Sequence, residues 1–235
     1  MAQIWHPAHS TRSRMRNKAD KLFQGTLVMF LLSLFSCAAT QPIQQTQDRT
    51  INMGYYSVEA PPGEDWQYEM NKEKGILICQ KLKKWFSGRV LGSTLIEVFR
   101  NRVAPQGWHL NEEECTDDFR NSEERGMQEE GVKKGLYELR NVKKGMETVG
   151  DRKLYTMHYE TTMTLPGGVW EHGLAARRAQ QVVLYLYFPP DFQARHIFYG
   201  FLISEEYERG SLVKVDLTQV HPIIRSFKES EETKK

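Results

Sequence analysis

The sequence lacks the residue patterns by which metal proteins and many enzymes are recognised. Its seven histidines form no His-x-x-x-His pair and its three cysteines form no Cys-x-x-Cys pair, so the usual zinc spacings are absent. There is no Gly-x-Ser-x-Gly nucleophile elbow. Gly167-Gly168 is followed by neither the glycine-lysine nor the strand-to-helix context of a phosphate-binding loop. The sequence therefore indicates no reaction class, no cofactor and no metal.

Long hydrophobic runs and an excess of one charge are also missing. The apolar stretch around Leu27–Leu32 is about ten residues long, which is short of the roughly twenty that span a bilayer. Beyond residue 36 the chain carries 27 Lys/Arg and 29 Asp/Glu side chains. This balance does not favour nucleic acid as a partner. The 199 residues after position 36 are enough for one domain with its own core.

The first organised feature is the stretch from Met15 to Cys37. Three basic residues precede the apolar run, and a small residue closes it. A cationic region, an apolar region and a cleavage site follow one another in this order in bacterial secretory signals. We therefore predict a signal peptide over residues 1–36, with Met15 as a possible alternative start.

The tetrad Leu34-Phe35-Ser36-Cys37 resembles the lipobox of bacterial lipoproteins, with Phe35 in place of the usual small or aliphatic residue. The resemblance implies that Cys37 is acylated, that the signal is cut just before it, and that the new amino terminus is acylated as well. Two or three acyl chains anchor a protein stably, whereas one binds marginally. Ala38 resembles the outer-membrane sorting class, which implies an outer-membrane anchor facing the periplasm. A plain secretory signal with an incidental cysteine is the alternative.

The rest of the chain divides into a tether, one domain and a tail. Residues 38–50 are polar, rich in glutamine and aperiodic, as flexible tethers are. We predict the lipidated cysteine and tether over residues 37–52, a single globular α/β domain over 53–228 and a charged tail over 229–235. Cys79 lies in an apolar strand pattern, where a buried free thiol is common, so we do not expect a bond between Cys79 and Cys115.

Alternation of apolar and polar residues predicts a mostly antiparallel sheet of about six to seven strands flanked by helices, an α+β fold. Gly150-Asp151 between two alternating runs is a hairpin signal. The apolar run from Val182 to Phe188 is typical of a strand that is covered on both faces. The predicted strands are Tyr56–Ala60, Ile76–Leu82, Ser93–Val103, Gly135–Val149, Leu154–Met163, Val182–Phe188 and His196–Ser204.

Two amphipathic helices are expected to flank this sheet. The acidic stretch 111–130 has Asn111 as an N-cap and Glu114 at the capping-box position three residues later. Apolar residues three or four apart between Leu217 and Phe227 predict the second helix. Pro222 is tolerated only near the first turn, so this helix should begin close to residues 218–220. From residue 228 the chain is charged and expected to be frayed.

The order of these elements resembles the Mog1/PsbP-like superfamily of α/β/α sandwiches. The residues that carry the resemblance are Tyr56–Gly63 with Trp66, Asn141–Tyr159 and Val220–Phe227. They match as a pattern of elements without a diagnostic motif. Members include photosystem lumen subunits, a nuclear-transport protein and bacterial lipoproteins, so the resemblance implies a fold and no particular activity. It implies no site residues either.

The long connection 165–181 between two predicted strands is the candidate interaction loop. Long loops on a rigid scaffold often carry function, and tryptophan and arginine are enriched at binding hot spots. The alternative is that the tryptophan packs on the sheet and the arginines are solvated. The candidate residues are Trp170, Glu171, His172, Arg177 and Arg178.

The pair Trp85-Phe86 is a second surface candidate. It stands beside Lys83-Lys84 and could cap the edge of the sheet or touch a membrane surface. The sequence does not decide between these two roles.

Together these features predict a lipid-anchored bacterial envelope protein without an evident catalytic site, which docks an envelope protein or stabilises an assembly. One alternative is an envelope hydrolase that uses His158 with Glu160, or Glu171 with His172, as acid–base groups. His158 and Glu160 share one face of a predicted strand, but a polar outer sheet face explains them better. The other alternative is a lipoprotein that binds a small ligand between helix and sheet.

Overall fold

Antiparallel strands in two sheets form most of the fold. The computed structural model describes residues 49–84, 86, 88, 90–129, 137–164, 177–208 and 216–230. The strands of this part of the chain are β1 (Thr50–Asn52), β2 (Tyr56–Glu59), β3 (Gln67–Asn71), β4 (Ile76–Lys84), β5 (Val90–Arg102), β6 (Tyr137–Val149), β7 (Arg152–Thr164), β8 (Arg177–Tyr187), β9 (Ile197–Glu208) and β10 (Lys228–Glu229).

The large sheet has seven strands in the order β3-β4-β5-β9-β8-β7-β6, and every neighbouring pair is antiparallel. A small sheet has the order β1-β2-β10. An α+β fold with a mostly antiparallel sheet is therefore confirmed. The β6–β7 hairpin is confirmed as well, because Val149 pairs with Arg152 across Gly150-Asp151. Gly150 has a φ of 66°, the left-handed region in which glycine is unstrained.

Three α-helices lie in the described residues. The longest, α1, confirms the predicted N-cap: the Asn111 side chain accepts from the Glu114 backbone N–H at 3.0 Å, and the Glu114 carboxylate accepts from the Asn111 N–H at 3.0 Å. No helix of these residues has the length and apolar character needed to cross a membrane. The helices are α1 (Glu112–Met127), α2 (Phe192–Arg195) and α3 (His221–Ser226), and 3-10 turns occupy Pro105–Gly107 and Leu217–Val220.

One face of the large sheet packs against α1, and we call it the α1 face. Phe119 of α1 stacks on Phe99 with ring centroids 6.2 Å apart and meets the edge of Phe198 at 5.6 Å. Gly200 leaves room for this cluster, since a Cβ there would lie 2.0 Å from the Phe99 ring. A close approach of this kind requires glycine in the central strand.

The opposite face packs against the small sheet and α3, and we call it the α3 face. The Phe227 ring, directly after α3, is 1 % exposed and lies 5.5 Å from the Tyr56 ring, 4.8 Å from Tyr199 and 5.3 Å from Phe201. The Tyr56 hydroxyl donates to the Val98 carbonyl at 2.9 Å. These contacts join the small sheet, the large sheet and the C-terminal segment into one core.

Two boundaries differ from the sequence expectations. Ordered structure begins before Met53, because Thr50–Asn52 already pairs with β2. The expectation that the chain is frayed from residue 228 is wrong for Lys228 and Glu229, which form β10 and pair with β2. Both segments are polar outside the single buried Ile51, so backbone pairing with a distant strand, and not their own periodicity, makes them strands.

Candidate functional site

Most of the predicted site residues lie outside the described part of the chain. This holds for Cys37 and for Trp170, Glu171 and His172. The assignment of Arg177 and Arg178 to a loop is wrong: their backbone begins β8, opposite Thr164 and Met163 of β7. The connection between the two strands is therefore 165–176 instead of 165–181.

The end of the α3 face beyond the hydrophobic core is polar and built around Glu205. This β9 residue is 1 % exposed, and its two carboxylate oxygens are occupied by different partners. The Thr94 hydroxyl donates to Oε1 at 2.7 Å, and the Lys83 ammonium forms an ion pair with Oε2. A buried carboxylate needs such partners, so this cluster fastens β4, β5 and β9 together.

Glu160 lies in the same row of the α3 face as Glu205. Its Oε2 accepts from the Asn141 amide at 2.8 Å, and its Oε1 accepts from the Gln181 amide at 3.2 Å. His158 lies on this face one row closer to the hydrophobic core, opposite Val183. Burial lowers the pKa of His158, so its imidazole is neutral at pH 7. The two amides connect Glu160 to β6 and β8, and the hydrogen bonds of Glu160 in the structure go to these amides and not to His158.

A third polar cluster lies where α3 begins. His221 Nε2 lies 3.1 Å from the Tyr185 hydroxyl and 3.4 Å from the nearer Glu147 oxygen. Burial raises the pKa of Tyr185, and the neighbouring Glu147 carboxylate raises it further. The cluster connects the first turn of α3 to β6 and β8. The contacts among His221, Tyr185 and Glu147 hold the helix on the sheet.

The α1 face carries two neighbouring carboxyl groups, of which Glu97 is buried and Glu123 is half-buried. Glu97 of β5 is 9 % exposed, and burial raises its pKa to about 8, with the Glu123 charge as a further cause. Burial also raises the pKa of Glu123, on α1, to about 7. Two neighbouring carboxyl groups in a region of low polarity favour the protonated form.

The sequence contained a signal for this pair, although our sequence analysis did not use it. Glu97 is the single charged residue in the apolar run Leu95–Phe99. Glu123 follows Phe119 by four residues and so lies on the same side of α1 as that ring. A charged residue among apolar neighbours in each element was the available signal, but which residue each carboxyl group faces followed only from the fold.

The thiols in this part of the chain are poor nucleophiles. Burial raises the pKa of Cys79 and of Cys115 to about 12 in each case, and a thiol is reactive as the thiolate. Cys79 belongs to the α3-face core and Cys115 lies on α1, on the other side of the sheet. Both are free, as expected.

No group of three or more His, Cys, Asp or Glu side chains in the described ranges is placed to hold a metal ion. A scan against protein-family models and a search of curated proteins return no match to this chain. Its function is therefore inferred from its own residues.

Proposed function

We propose that the protein is a lipid-anchored bacterial envelope protein that docks a protein partner or stabilises an envelope assembly. The lipobox-like tetrad ending at Cys37 supports the anchor and an outer-membrane location facing the periplasm. Residues 38–48 separate Cys37 from Arg49, the first described residue. A fully extended chain of this length reaches about 40 Å, so the domain would stay close to the membrane.

The observation that carries the docking part is the pairing of Thr164 with Arg177. These residues are direct partners in the β7–β8 ladder, so a short hairpin turn could connect the two strands, as Gly150-Asp151 connects β6 and β7. Residues 165–176 stand there instead. An insertion between paired strands that the ladder does not need, and that contains Trp170, favours a binding role.

The polar chemistry of the described residues also favours binding over catalysis. Glu205, Glu160 and Glu147 each contact partners on other strands or on α3, and these contacts stabilise the fold. A hydrolase that uses His158 and Glu160 has less support, because the hydrogen bonds of Glu160 go to the amides of Asn141 and Gln181 and not to His158.

For the finer fold assignment, we propose the Mog1/PsbP-like α/β/α sandwich. One long helix lies on the α1 face, and α3 with the small sheet lies on the α3 face of an antiparallel sheet. This layering is compatible with the resemblance noted in the sequence.

The anchor is tested by the variant Cys37→Ser. We expect the native chain in the envelope membrane fraction with an acylated amino-terminal peptide, and we expect the variant to lose acylation and lipoprotein processing. Mass spectrometry of the amino-terminal peptide is the measurement. Ser33→Ala, which leaves the tetrad intact, is the control and should behave as the native chain. An unacylated mature terminus, or a chain that keeps its leader in the cytosol, would contradict the proposal.

The docking loop is tested by a photo-crosslinking amino acid at Glu171 in living cells. We expect a discrete adduct with an envelope protein, which disappears when Trp170→Ala is added and the unfolding curve is unchanged. The same crosslinker at Glu73, an exposed residue between β3 and β4, serves as control and should give no such adduct. Failure to form an adduct from position 171 would remove the loop from the proposal.

A further inference from the structure

The turn between β4 and β5 carries an exposed aromatic side chain. β4 ends at Lys84 and β5 begins at Val90, and of the residues between them the structure describes Phe86 and Gly88. Phe86 has a relative exposure of 102 %, the highest of any large apolar residue in the described part of the chain. Gly88 has a φ of 81°, which suits a tight turn. We call Lys84, Phe86 and Gly88 the hairpin tip.

Two lysines lead into the hairpin tip, and their environments differ. Lys83 is held by the buried Glu205 carboxylate on the α3 face. Lys84 is exposed at the last position of β4. An exposed cation next to an exposed aromatic ring is the composition of surfaces that bind the interfacial region of a lipid bilayer, where aromatic rings lie at the level of the headgroups.

The chain that leads to Cys37 enters the domain beside the segment that leads into the edge strand β3. The Arg49 carbonyl accepts from the Ala60 N–H at 2.7 Å, and the Arg49 guanidinium donates to the Pro61 carbonyl at 2.9 Å. The segment that begins at Ala60 leads into β3, which starts opposite Gln80 of β4. Gln80 precedes Lys84 by four residues, which is about 13 Å along a strand.

Contacts of Lys81 confirm that the entering segment lies beside β4 at this level. The Lys81 ammonium lies 6.0 Å from the centroid of the Trp66 ring. It also lies 3.6 Å from the place that a Cβ on Gly63 would occupy. The entering segment thus lies beside the middle of β4, about 13 Å along the strand from the hairpin tip, and the tip is well within the reach of the tether.

We propose that the hairpin tip contacts the surface of the phospholipid membrane in which Cys37 is anchored. The Phe86 ring enters the interfacial region, and the Lys84 ammonium lies near the lipid phosphates. This inference rests on the proposed lipid anchor, because the anchor confines the domain to within about 40 Å of the bilayer. The tether raises the effective concentration of the hairpin tip at the bilayer surface, so even a weak contact between the two is populated.

The ring provides more of this contact than the charge does. Glu64 and Asp65 are exposed in the segment that leads into β3, so the surface beside β4 is not uniformly cationic. Transfer of a phenylalanine side chain out of water favours binding roughly tenfold or more.

The test uses the acylated chain reconstituted into phosphatidylcholine vesicles, with an environment-sensitive NBD fluorophore attached through Phe86→Cys. Cys79 and Cys115 are buried and should not react. We expect a blue shift of NBD emission on reconstitution and quenching by lipids with a nitroxide near the headgroup. The matched control is the same label through Met146→Cys, since Met146 is 60 % exposed in β6 near the opposite end of the sheet. The NBD label at position 146 should keep the emission maximum that it has in water.

The outcomes separate this inference from the proposed anchor. An acylated chain whose label at position 86 behaves as in water would overturn the membrane contact and leave the anchor intact. Equal blue shifts at positions 86 and 146 would also overturn it, because the domain would then lie on lipid without a preferred side. An unacylated Cys37 in the mass spectrum would overturn both. A blue shift of NBD emission that appears only when the vesicles contain phosphatidylglycerol would overturn the contact made mainly by the aromatic ring. It would show that electrostatic attraction alone drives the contact.

Discussion

At the scale of single residues, the raised pKa values of Glu97 and Glu123 make the stability of the fold depend on pH. Their pKa values of about 8 and about 7 in the folded chain lie above 4.5, the ordinary value of an exposed glutamic acid. Between pH 4.5 and these raised values, the two carboxyl groups keep protons in the folded state that they have released in the unfolded state. The stability that the protonated carboxyl groups contribute to the folded state is therefore complete below pH 4.5, and it is lost as the pH rises through about 7 to 8.

We accordingly predict that the contribution of this pair to the free energy of unfolding decreases by an amount on the order of a few kcal/mol between about pH 5 and pH 8. Glu97→Gln keeps the shape and removes one titration. It should flatten the pH dependence and make the protein more stable than the native chain at pH 8. Urea unfolding at several pH values measures both effects.

Glu129→Gln is the control for this comparison. Glu129 is exposed just beyond the end of α1, and its substitution should leave the pH dependence unchanged. An identical pH slope in the native chain and in Glu97→Gln would show that Glu97 is ionised in the folded protein at neutral pH.

At the scale of elements, α1 shows how much a helix sequence can predict. Asn111 and Glu114 were readable from their spacing, and the capping box is confirmed; the helix buries Cys115, Phe119 and Met127, which are spaced for one helical side. The reason is that caps and helical stripes depend on residues within a few positions of each other. What α1 packs against was not readable, because the Phe99 and Phe198 rings come from distant strands.

β8 and β10 show the opposite case. The run from Val182 predicted the apolar part of β8, but its first residues are Arg177 and Arg178, which have no strand pattern. They are strand residues because β7 continues to Thr164 and offers backbone partners. β10 likewise exists because Tyr56 and Ser57 are available for pairing. Partners distant in sequence override local preference at the ends of strands.

At the scale of the whole molecule, the segment after α3 closes the core. Phe227 lies against rings from β2, β8 and β9, namely Tyr56, Tyr187, Tyr199 and Phe201. Arg152 at the start of β7 donates to the carbonyls of Ile224 and Phe227 at 2.9 and 2.7 Å. The last elements of the chain are thus fixed to the first and to the middle.

We predict that Phe227→Ala lowers the free energy of unfolding by about 3–5 kcal/mol, because it opens a cavity where three layers of the core meet. Chemical denaturation monitored by tryptophan fluorescence is the measurement. Phe86→Ala is the matched control, since it removes the same side chain from a fully exposed position and should change stability by less than about 0.5 kcal/mol. Similar losses in the two variants would contradict the central role of Phe227.

The sequence by itself determined the local features of this protein: the capped helix, the Gly150-Asp151 hairpin, the alternating strands and a motif that favours a lipid anchor. Each depends on side chains within a few residues of one another. Only the tertiary structure decided which face of the sheet each helix covers, that Glu97 meets Glu123, and that Lys228 and Glu229 pair with β2. These depend on the order of strands in the sheet, which is set by packing between residues far apart in the chain.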